Sequence, residues 1–381
     1  MGPGARTEAC IHWKRDTLTW LEALGGGSLE NLATARRVVM QSQLGDSRNF
    51  CLWRAVVSET CQATRANEPS PAPAKGLTFP MHDASSRTGS ALTAPPWVRD
   101  TFAVICKGML DPTPLSDGFC FGESPRWFEG LLWFSDMLGE AVHTADMRGS
   151  LTTLPLPGHC PGGLGFRPDG SLLIASTETQ QILRYDGDTV VPITDLSALA
   201  PASLGDMVVD RAGRAYIGSP AFTGGVLIRL DLNNSATVVA DDLDFPNGMV
   251  ITPDGQTLIV AESMARRLTA FTIGRDGGLH DRRVFADGLD GPPDGIALDT
   301  DGGVWTSMTL AHQFQRITVG GTVTDRIDMG DRIATACALG GQQRRTLFLL
   351  SSTEAYPKRL VGTRLSRLDA VVVDIPGAGL P

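Results

Sequence analysis

The chain has 381 residues, of which 42% are hydrophobic and 20% are charged, as is typical of a globular protein with a substantial core. No stretch approaches the roughly 20 consecutive apolar residues of a membrane-spanning helix, so that class of protein is excluded. The 43 glycines and 24 prolines favour many short strands joined by turns over long helices.

Charge is distributed unevenly along the chain. Residues 1–100 carry 11 Lys and Arg against 9 Asp and Glu, whereas the remaining 281 residues carry 22 against 33, a net charge of −11. An acidic surface repels phosphate backbones and anionic lipids. We therefore expect neither a nucleic-acid nor a membrane partner, and an acidic region better suited to binding cations.

The cysteines form no disulfide framework or zinc motif, because they are odd in number, widely spaced and without a CxxC pair. They are Cys10, Cys51, Cys61, Cys106, Cys120, Cys160 and Cys337. The first residues lack an apolar stretch of signal-peptide length. We expect a reducing, cytoplasmic setting.

The first 111 residues differ in character from the rest. Residues 1–63 contain apolar residues at mixed three- and four-residue spacings, which predict one or two short helices. Residues 64–111 are rich in Pro, Ala, Ser and Thr and read as a linker or disordered segment. We expect this N-terminal extension to have no catalytic role, and an over-extended reading frame is an alternative explanation for it.

From residue 112 onward the sequence repeats. Each repeat has small or polar residues, an apolar residue, a turn that is Asp-Gly in three copies, and then a short apolar strand. We call the residue two positions before the first apolar residue of each repeat its marker residue. The marker residues are Glu123, Gly162, Gly205, Asn247, Asp294 and Thr335.

Successive marker residues are separated by 39, 43, 42, 47 and 41 positions. A period near 42 that contains a hairpin and a second pair of strands is the size of one four-stranded propeller blade. The sequence therefore predicts an all-β, six-bladed β-propeller over residues 112–381. We expect the terminal run Ala370–Asp374 to pair with a strand from the entry of the chain and close the ring.

Three marker residues offer oxygen ligands. Because equivalent positions on the innermost strands surround the central channel, we expect Glu123, Asn247 and Asp294 to converge on one point. Two carboxylates and an amide oxygen suit a hard divalent cation such as Ca²⁺, Mg²⁺ or Mn²⁺.

An alternative is that Asn247 and Asp294 are ordinary turn residues, since each precedes a glycine. Their position in the repeat argues against it, because each repeat already has an Asp-Gly turn seven residues later, at Asp254 and Asp301.

Other catalytic patterns are weaker. His312 follows the strand that contains Trp305 and could approach the channel mouth, but no histidine pair has metal-binding spacing. No serine lies in a GxSxG motif, no cysteine has the context of a nucleophile, and no glycine run has the form of a phosphate-binding loop.

Several motifs together resemble one known family. They are Gly122–Trp127 (GESPRW), Phe245–Met249 (FPNGM), Ala261–Ser263 with Arg267–Phe271, Pro293–Asp299 (PDGIALD) and Ala336–Gly341 (ACALGG). In combination they resemble the gluconolactonase and senescence-marker-protein (regucalcin-like) family from about Asp117 to Gly379. The resemblance implies a six-bladed propeller that hydrolyses lactones with one divalent cation, whose three protein ligands fall on Glu123, Asn247 and Asp294.

The substrate contacts of that family are less well matched. Its third blade commonly carries an Arg-x-Asn-Asp run, in which the Arg and the Asn contact substrate hydroxyls. This chain has Ser203 and Gly205 at those two positions, and Asp206 is kept. We expect Ser203, Gly205, Asp206 and His312 to lie at the substrate site, and the substrate to be smaller, more apolar or aromatic than a sugar lactone.

The expected chemistry is metal-dependent opening of a lactone ring. The cation, with Ca²⁺ as the first expectation and Zn²⁺, Mn²⁺ or Mg²⁺ as alternatives, would polarise the carbonyl oxygen. Asp294 would accept a proton from the attacking water, with a metal-bound hydroxide as the competing possibility. Two other classes stay open: a non-enzymatic calcium-binding or interaction propeller, and an esterase or organophosphate hydrolase that uses the same site. The oligomeric state is not indicated.

Overall fold

A computed structural model describes residues 110–355 and 357–378. The predicted helices of residues 1–63 and nearly all of the predicted linker lie outside these residues. The described part consists of six antiparallel sheets of four strands each, and the all-β, six-bladed propeller that the repeat predicts is confirmed.

The first strand of each repeat is the innermost strand of its blade. In order from blade 1 to blade 6, these strands are β2 (Gly122–Phe128), β6 (Pro161–Phe166), β10 (Met207–Val209), β14 (Pro246–Ile251), β18 (Pro293–Leu298) and β22 (Ile333–Gly340). Each of them contacts the innermost strands of the two neighbouring blades, so together they form a closed ring around the channel.

The second and third strands of each blade are largely buried. They are β3 (Leu131–Asp136) and β4 (Ala141–Ala145), β7 (Leu172–Ser176) and β8 (Gln181–Tyr185), β11 (Ala215–Ser219) and β12 (Gly225–Leu230), β15 (Thr257–Glu262) and β16 (Arg267–Ile273), β19 (Val304–Met308) and β20 (Gln313–Ile317), and β23 (Thr346–Ser352) and β24 (Ser366–Val372).

The outermost strands face solvent. They are β5 (Leu151–Pro155), β9 (Val190–Asp195), β13 (Ala236–Leu243), β17 (Leu279–Ala286), β21 (Val323–Asp328) and, in blade 6, β1 (Thr113–Phe119). β1 pairs with β24, so the predicted closure between the two ends of the propeller is confirmed. The C-terminal partner is Ser366–Val372, a few residues earlier than predicted from sequence.

Two short helical segments interrupt the strand pattern. A 3-10 helix (Thr309–Ala311) follows β19, and α1 (Pro357–Leu360) lies between β23 and β24. No described helix is long and apolar enough to cross a bilayer.

The core lies between the blades. Six clusters of buried apolar side chains occupy the interfaces, one between each pair of neighbouring blades around the ring. Burial of this surface is the main force that holds the blades together. Because the apolar contacts lie between the blades, the central channel can carry polar groups.

Candidate active site

The structure places all six marker residues at the same end of the ring. Glu123, Asn247 and Asp294 are each the second residue of an innermost strand, in blades 1, 4 and 5. Glu123 is buried, with 6% of its surface exposed, and Asn247 and Asp294 are partly buried. The three predicted ligands therefore begin strands that surround one channel mouth.

A shift in strand register accompanies these residues. Pairing between the first and second strands is irregular between Glu123 and Arg126, between Pro246 and Met249, and between Pro293 and Ile296. Asn247 and Asp294 thus lie in irregular strand segments and not in hairpin turns, so the alternative interpretation as turn residues is wrong. Such bulges redirect side chains and are frequent next to active sites.

Steric constraints require glycine directly after Asn247 and directly after Asp294. A Cβ atom on Gly248 would lie 2.5 Å from the carbonyl oxygen of Asp294, and one on Gly295 would lie 2.6 Å from the Cα atom of Ala336. Both distances are too short for any side chain. The glycines allow the innermost strands of blades 4, 5 and 6 to approach closely.

A hydrogen-bonded chain orients the amide of Asn247. Its Nδ2 donates to Oγ of Ser263 at 3.3 Å, and that hydroxyl donates to the carbonyl oxygen of Pro293 at 2.6 Å. Because the amide nitrogen is engaged, Oδ1 is the atom available to a cation. Groups behind a ligand commonly fix its orientation in this way.

A second polar connection spans the channel between blades 1 and 3. Oγ of Ser124 donates to Oδ1 of the buried Asp206, and Nη2 of Arg126 donates to the carbonyl oxygen of Met207. Ser124 has a φ of 50°, the left-handed conformation that non-glycine residues rarely adopt. These contacts fix the backbone that follows Glu123.

The innermost strand of blade 2 is rich in glycine and packs closely on blade 3. A Cβ atom on Gly163 would lie 2.6 Å from both the carbonyl oxygen of Gly205 and the amide nitrogen of Met207. Gly163 also donates its N–H to the Gly205 carbonyl oxygen at 3.0 Å. The absence of a side chain at position 163 therefore lets the backbones of blades 2 and 3 approach each other.

Arg126 and Cys337 extend the polar interior away from the mouth. Burial lowers the pKa of Arg126, and nearby Asp206 opposes that shift. Burial strongly raises the pKa of the Cys337 thiol, and Asp294 raises it further. Cys337 therefore stays protonated and lacks the thiolate that a cysteine nucleophile requires. Both residues line a cavity of about 40 Å³.

The remaining predicted site residues lie at the same end of the ring. Gly205 and Asp206 precede β10, Ser203 is partly buried in the same connection, and His312 follows the 3-10 helix of blade 5. Nδ1 of His312 lies 3.1 Å from the carbonyl oxygen of Arg332. The structure thus places all four residues near the predicted mouth, and their contact with a substrate stays a prediction.

The predicted ligand set contains two carboxylates and one amide. Among the described residues, no three His, Cys, Asp or Glu side chains form a metal-binding group. Any cation site here would therefore depend on the amide of Asn247, whose orientation and oxygen chemistry fit a hard cation.

Comparison with known proteins places this geometry in a family. The SMP-30/gluconolactonase/LRE-like region matches residues 121–353. The chain belongs to this family.

Curated relatives and solved structures agree with this membership. A 6-deoxy-6-sulfogluconolactonase of Pseudomonas putida is 31% identical over 273 residues, covering 68% of this chain and 94% of that protein. A pentonolactonase of Haloferax volcanii is 28% identical over 63% of this chain and 84% of its own length. The structure of a gluconolactonase from Xanthomonas campestris superposes with a TM-score of 0.58 at 24% identity, over 70% of this chain and 90% of that one.

Within this SMP-30/gluconolactonase fold, sequence reasoning overlooked a ring of hydroxyl groups. Each blade has a buried hydroxyl residue 12 to 16 positions after its marker residue: Ser135, Thr177, Ser219, Ser263, Ser307 and Ser351. Ser135 donates to the carbonyl oxygens of Glu123 and Gly162, and Ser307 to those of Gly295 and Thr335. In blades 1, 4 and 5 this hydroxyl joins the innermost strands of adjacent blades, whereas Thr177 and Ser219 donate to the carbonyl oxygens of Cys160 and Ala202. The offset from the marker residue varies between blades, so the repeat period alone did not single these residues out.

Proposed function

We propose that this lactonase-family chain is a metal-dependent hydrolase that opens the ring of a lactone. One divalent cation would be held by Glu123, Asn247 and Asp294, with Ca²⁺ favoured by the oxygen ligands and Zn²⁺, Mn²⁺ or Mg²⁺ as alternatives. The observation that carries the proposal is the amide of Asn247, whose nitrogen is engaged by Ser263 and whose oxygen is left for a ligand. Relatives named for their action on lactones support the substrate class.

The cation, when bound, would polarise the lactone carbonyl. Asp294 is the residue of this chain placed to accept a proton from the attacking water, because its carboxylate is partly buried at the mouth. The hydrogen bonds from Asn247 to Ser263 and from Ser263 to Pro293 fix the backbone next to Asp294. The hydrogen bond between Ser124 and Asp206 holds the backbone segment that follows Glu123. The carboxylate of Glu123 is therefore positioned before substrate arrives.

The test is replacement of Asp294 by Ala, with ring opening assayed in the presence of Ca²⁺, Mn²⁺ or Zn²⁺. We expect activity to fall by about 10²–10⁴-fold, the usual contribution of a positioned general base. Calorimetry should also show weaker cation binding. Asp301→Ala is the matched control, because Asp301 also precedes a glycine but lies in an exposed hairpin turn. Unchanged activity of Asp294→Ala would remove this residue from the site.

The same assay separates the other classes. Cation binding without turnover of any lactone would favour a calcium-binding propeller, and preferential hydrolysis of a phosphotriester would favour an organophosphate hydrolase. A cytoplasmic location stays a prediction from the cysteine pattern and the polar first residues, and the absence of nucleic-acid and membrane partners stays a prediction from charge.

A further inference from the structure

Three segments form one side of the channel mouth at blades 3 and 4. They are residues 198–205, 219–225 and 245–249, and two of them are directly flanked by the acidic residues Asp206 and Asp244. Hydrogen bonds join them: the N–H of Ala202 donates to Oγ of Ser219 at 3.1 Å, and the N–H of Phe245 donates to the carbonyl oxygen of Ala221 at 3.0 Å. We call this surface the blade 3–4 rim. It includes Asn247, so it borders the proposed cation site.

The blade 3–4 rim lacks room for a polar side chain at Gly205. A Cβ atom there would lie 3.2 Å from Cδ and 3.4 Å from Cγ of Pro220, which is itself buried. The proline ring therefore occupies the space next to the backbone. A polyhydroxylated substrate would find no side-chain hydrogen-bonding group at position 205, and a hydroxyl left unpaired there is costly.

An aromatic pair lies on the same rim. The rings of Phe222 and Phe245 have centroids 5.8 Å apart and are tilted by 58°. Phe245 is 4% exposed and has a φ of 62°. Its backbone is held on both sides, because its carbonyl oxygen also accepts the N–H of Ser263 at 3.1 Å. Phe245 is therefore a rigid packing surface beneath Phe222. The ring of Phe222 is partly exposed, so a ligand can reach it.

We propose that Phe222, supported by Phe245 and Pro220, forms an apolar subsite that selects lactones with an alkyl or aryl substituent. This inference rests on the proposed lactone hydrolysis. Its physical basis is the partly exposed ring of Phe222, which packs on Phe245 in the same rim that includes Asn247, since an apolar substituent gains by leaving water for such a surface. Phe222 would determine specificity through contact with the substituent and not through the chemistry at Asp294.

The experiment compares two six-membered lactones on the cation-loaded protein. Glucono-δ-lactone is polyhydroxylated, whereas δ-decalactone carries a pentyl chain. We expect the wild-type protein to prefer δ-decalactone. In Phe222→Ala, KM for δ-decalactone should rise roughly tenfold with kcat little changed, as is usual for lost apolar contacts, and glucono-δ-lactone should be unaffected.

Two further variants and a binding assay make the test specific. Phe285→Ala removes another partly buried ring, on β17, and should leave kcat and KM unchanged for both lactones. Phe222→Leu keeps an apolar side chain, so it should retain most of the preference and also serves if Phe222→Ala does not fold. Calorimetry with the δ-lactam of the same carbon skeleton, which is not readily hydrolysed, should show roughly tenfold weaker binding to Phe222→Ala.

The outcomes separate this inference from the proposed function. If δ-decalactone is hydrolysed equally well by the wild type and by Phe222→Ala, or if both lactones lose activity together, the subsite is refuted while lactone hydrolysis stands. If no lactone is hydrolysed but the lactam binds in a manner that depends on Phe222, the subsite stands and the hydrolase proposal fails.

Discussion

Glu262 is the most densely bonded carboxylate near the proposed site. It ends β15, is fully buried, and accepts hydrogen bonds from Nε and Nη2 of Arg267, both at 2.9 Å, and from Nη2 of Arg282. Burial opposes ionisation, but the hydrogen bonds from Arg267, from the backbone N–H of Asp244 and from Thr269 hold the pKa of Glu262 below its ordinary value. The carboxylate is therefore charged in the folded protein and anchors the residue before Ser263.

The lowered pKa predicts a specific dependence of stability on pH. A carboxyl group whose pKa is lower in the folded state stabilises fully above its unfolded pKa of about 4.3, and the stabilisation is lost as pH falls through the folded pKa. Glu262→Gln should reduce the free energy of unfolding by about 1–3 kcal/mol at pH 7, because it removes the negative charge that accepts hydrogen bonds from both arginines, although Arg267 keeps Asp244 at 3.7 Å and Arg282 keeps the carbonyl oxygen of Asp242. The difference from wild type should shrink below about pH 4. Denaturant titrations of both proteins at pH 7 and below about pH 4 measure this difference in the free energy of unfolding.

Glu129→Gln is the control for this prediction, because Glu129 is exposed and should show little change at either pH. A loss of stability in Glu262→Gln that is the same at both pH values would contradict the assignment of a charged Glu262.

At the level of single residues, the sequence predicts some roles and conceals others. Glu123, Asn247 and Asp294 could be singled out because each occupies the same position in its repeat. Arg126 could not, because its contact with the carbonyl oxygen of Met207 joins blade 1 to blade 3, which the repeat does not reveal. Phe222 lies in a connection outside the repeated pattern, so periodicity carries no information about it.

Among the elements, the innermost strands have the strictest packing requirements. β14 and β18 pass so close that Gly248 faces the backbone of Asp294 and Ile296, with distances from a built Cβ atom of 2.5 and 2.7 Å. Backbone cannot rotate away as a flexible side chain can. The separation of Asn247 and Asp294 is therefore set by a glycine that is not itself a ligand.

Gly248→Ala tests this requirement. The added methyl group should force the two strands apart, cost about 1–3 kcal/mol and lower Tm by about 5 °C. Because Asn247 and Asp294 would separate, calorimetric cation affinity should fall as well. Gly291→Ala is the control, since its Cβ atom would have only ordinary contacts, the nearest at 3.5 Å. An unchanged Tm and an unchanged cation affinity in Gly248→Ala would contradict the packing argument.

The strands themselves were largely readable from the sequence, because a turn with glycine, three times Asp-Gly, marks the first hairpin of five blades. The two short helical segments were not, since three or four residues cannot show helical periodicity. Register irregularities at the marker residues were also hidden, because they depend on how the neighbouring blade packs.

At the scale of the whole molecule, the ring depends on one non-local pairing. β1 contributes the outermost strand of blade 6 through its contact with β24, more than 240 residues later in the chain. Phe119 at the end of β1 is buried with Phe134, their ring centroids 4.8 Å apart. Closure therefore adds both strand pairing and apolar contacts between blades 6 and 1.

Two shortened chains measure the contribution of closure. One begins at residue 110 and keeps β1, and the other begins at residue 120 and lacks it. Loss of the strand and of Phe119 should cost several kcal/mol, so the second chain should unfold at a temperature lower by about 10 °C or more. Equal thermal unfolding of the two chains would show that β1 is dispensable. Blade number and closure could both be predicted, because a fixed repeat length dictates them.

The ring of hydroxyl groups has a consequence for how this molecule can change. Because Ser135, Ser263 and Ser307 join neighbouring blades near the axis, the geometry of the channel is set from inside. The outermost strands are mostly exposed and make no part of that framework. Their sequences can drift, accept charge or carry insertions, whereas an innermost strand can change only at positions that, unlike Gly248, do not touch the backbone of its neighbour. The fold thereby separates a tolerant perimeter from a centre where a few substitutions redirect chemistry.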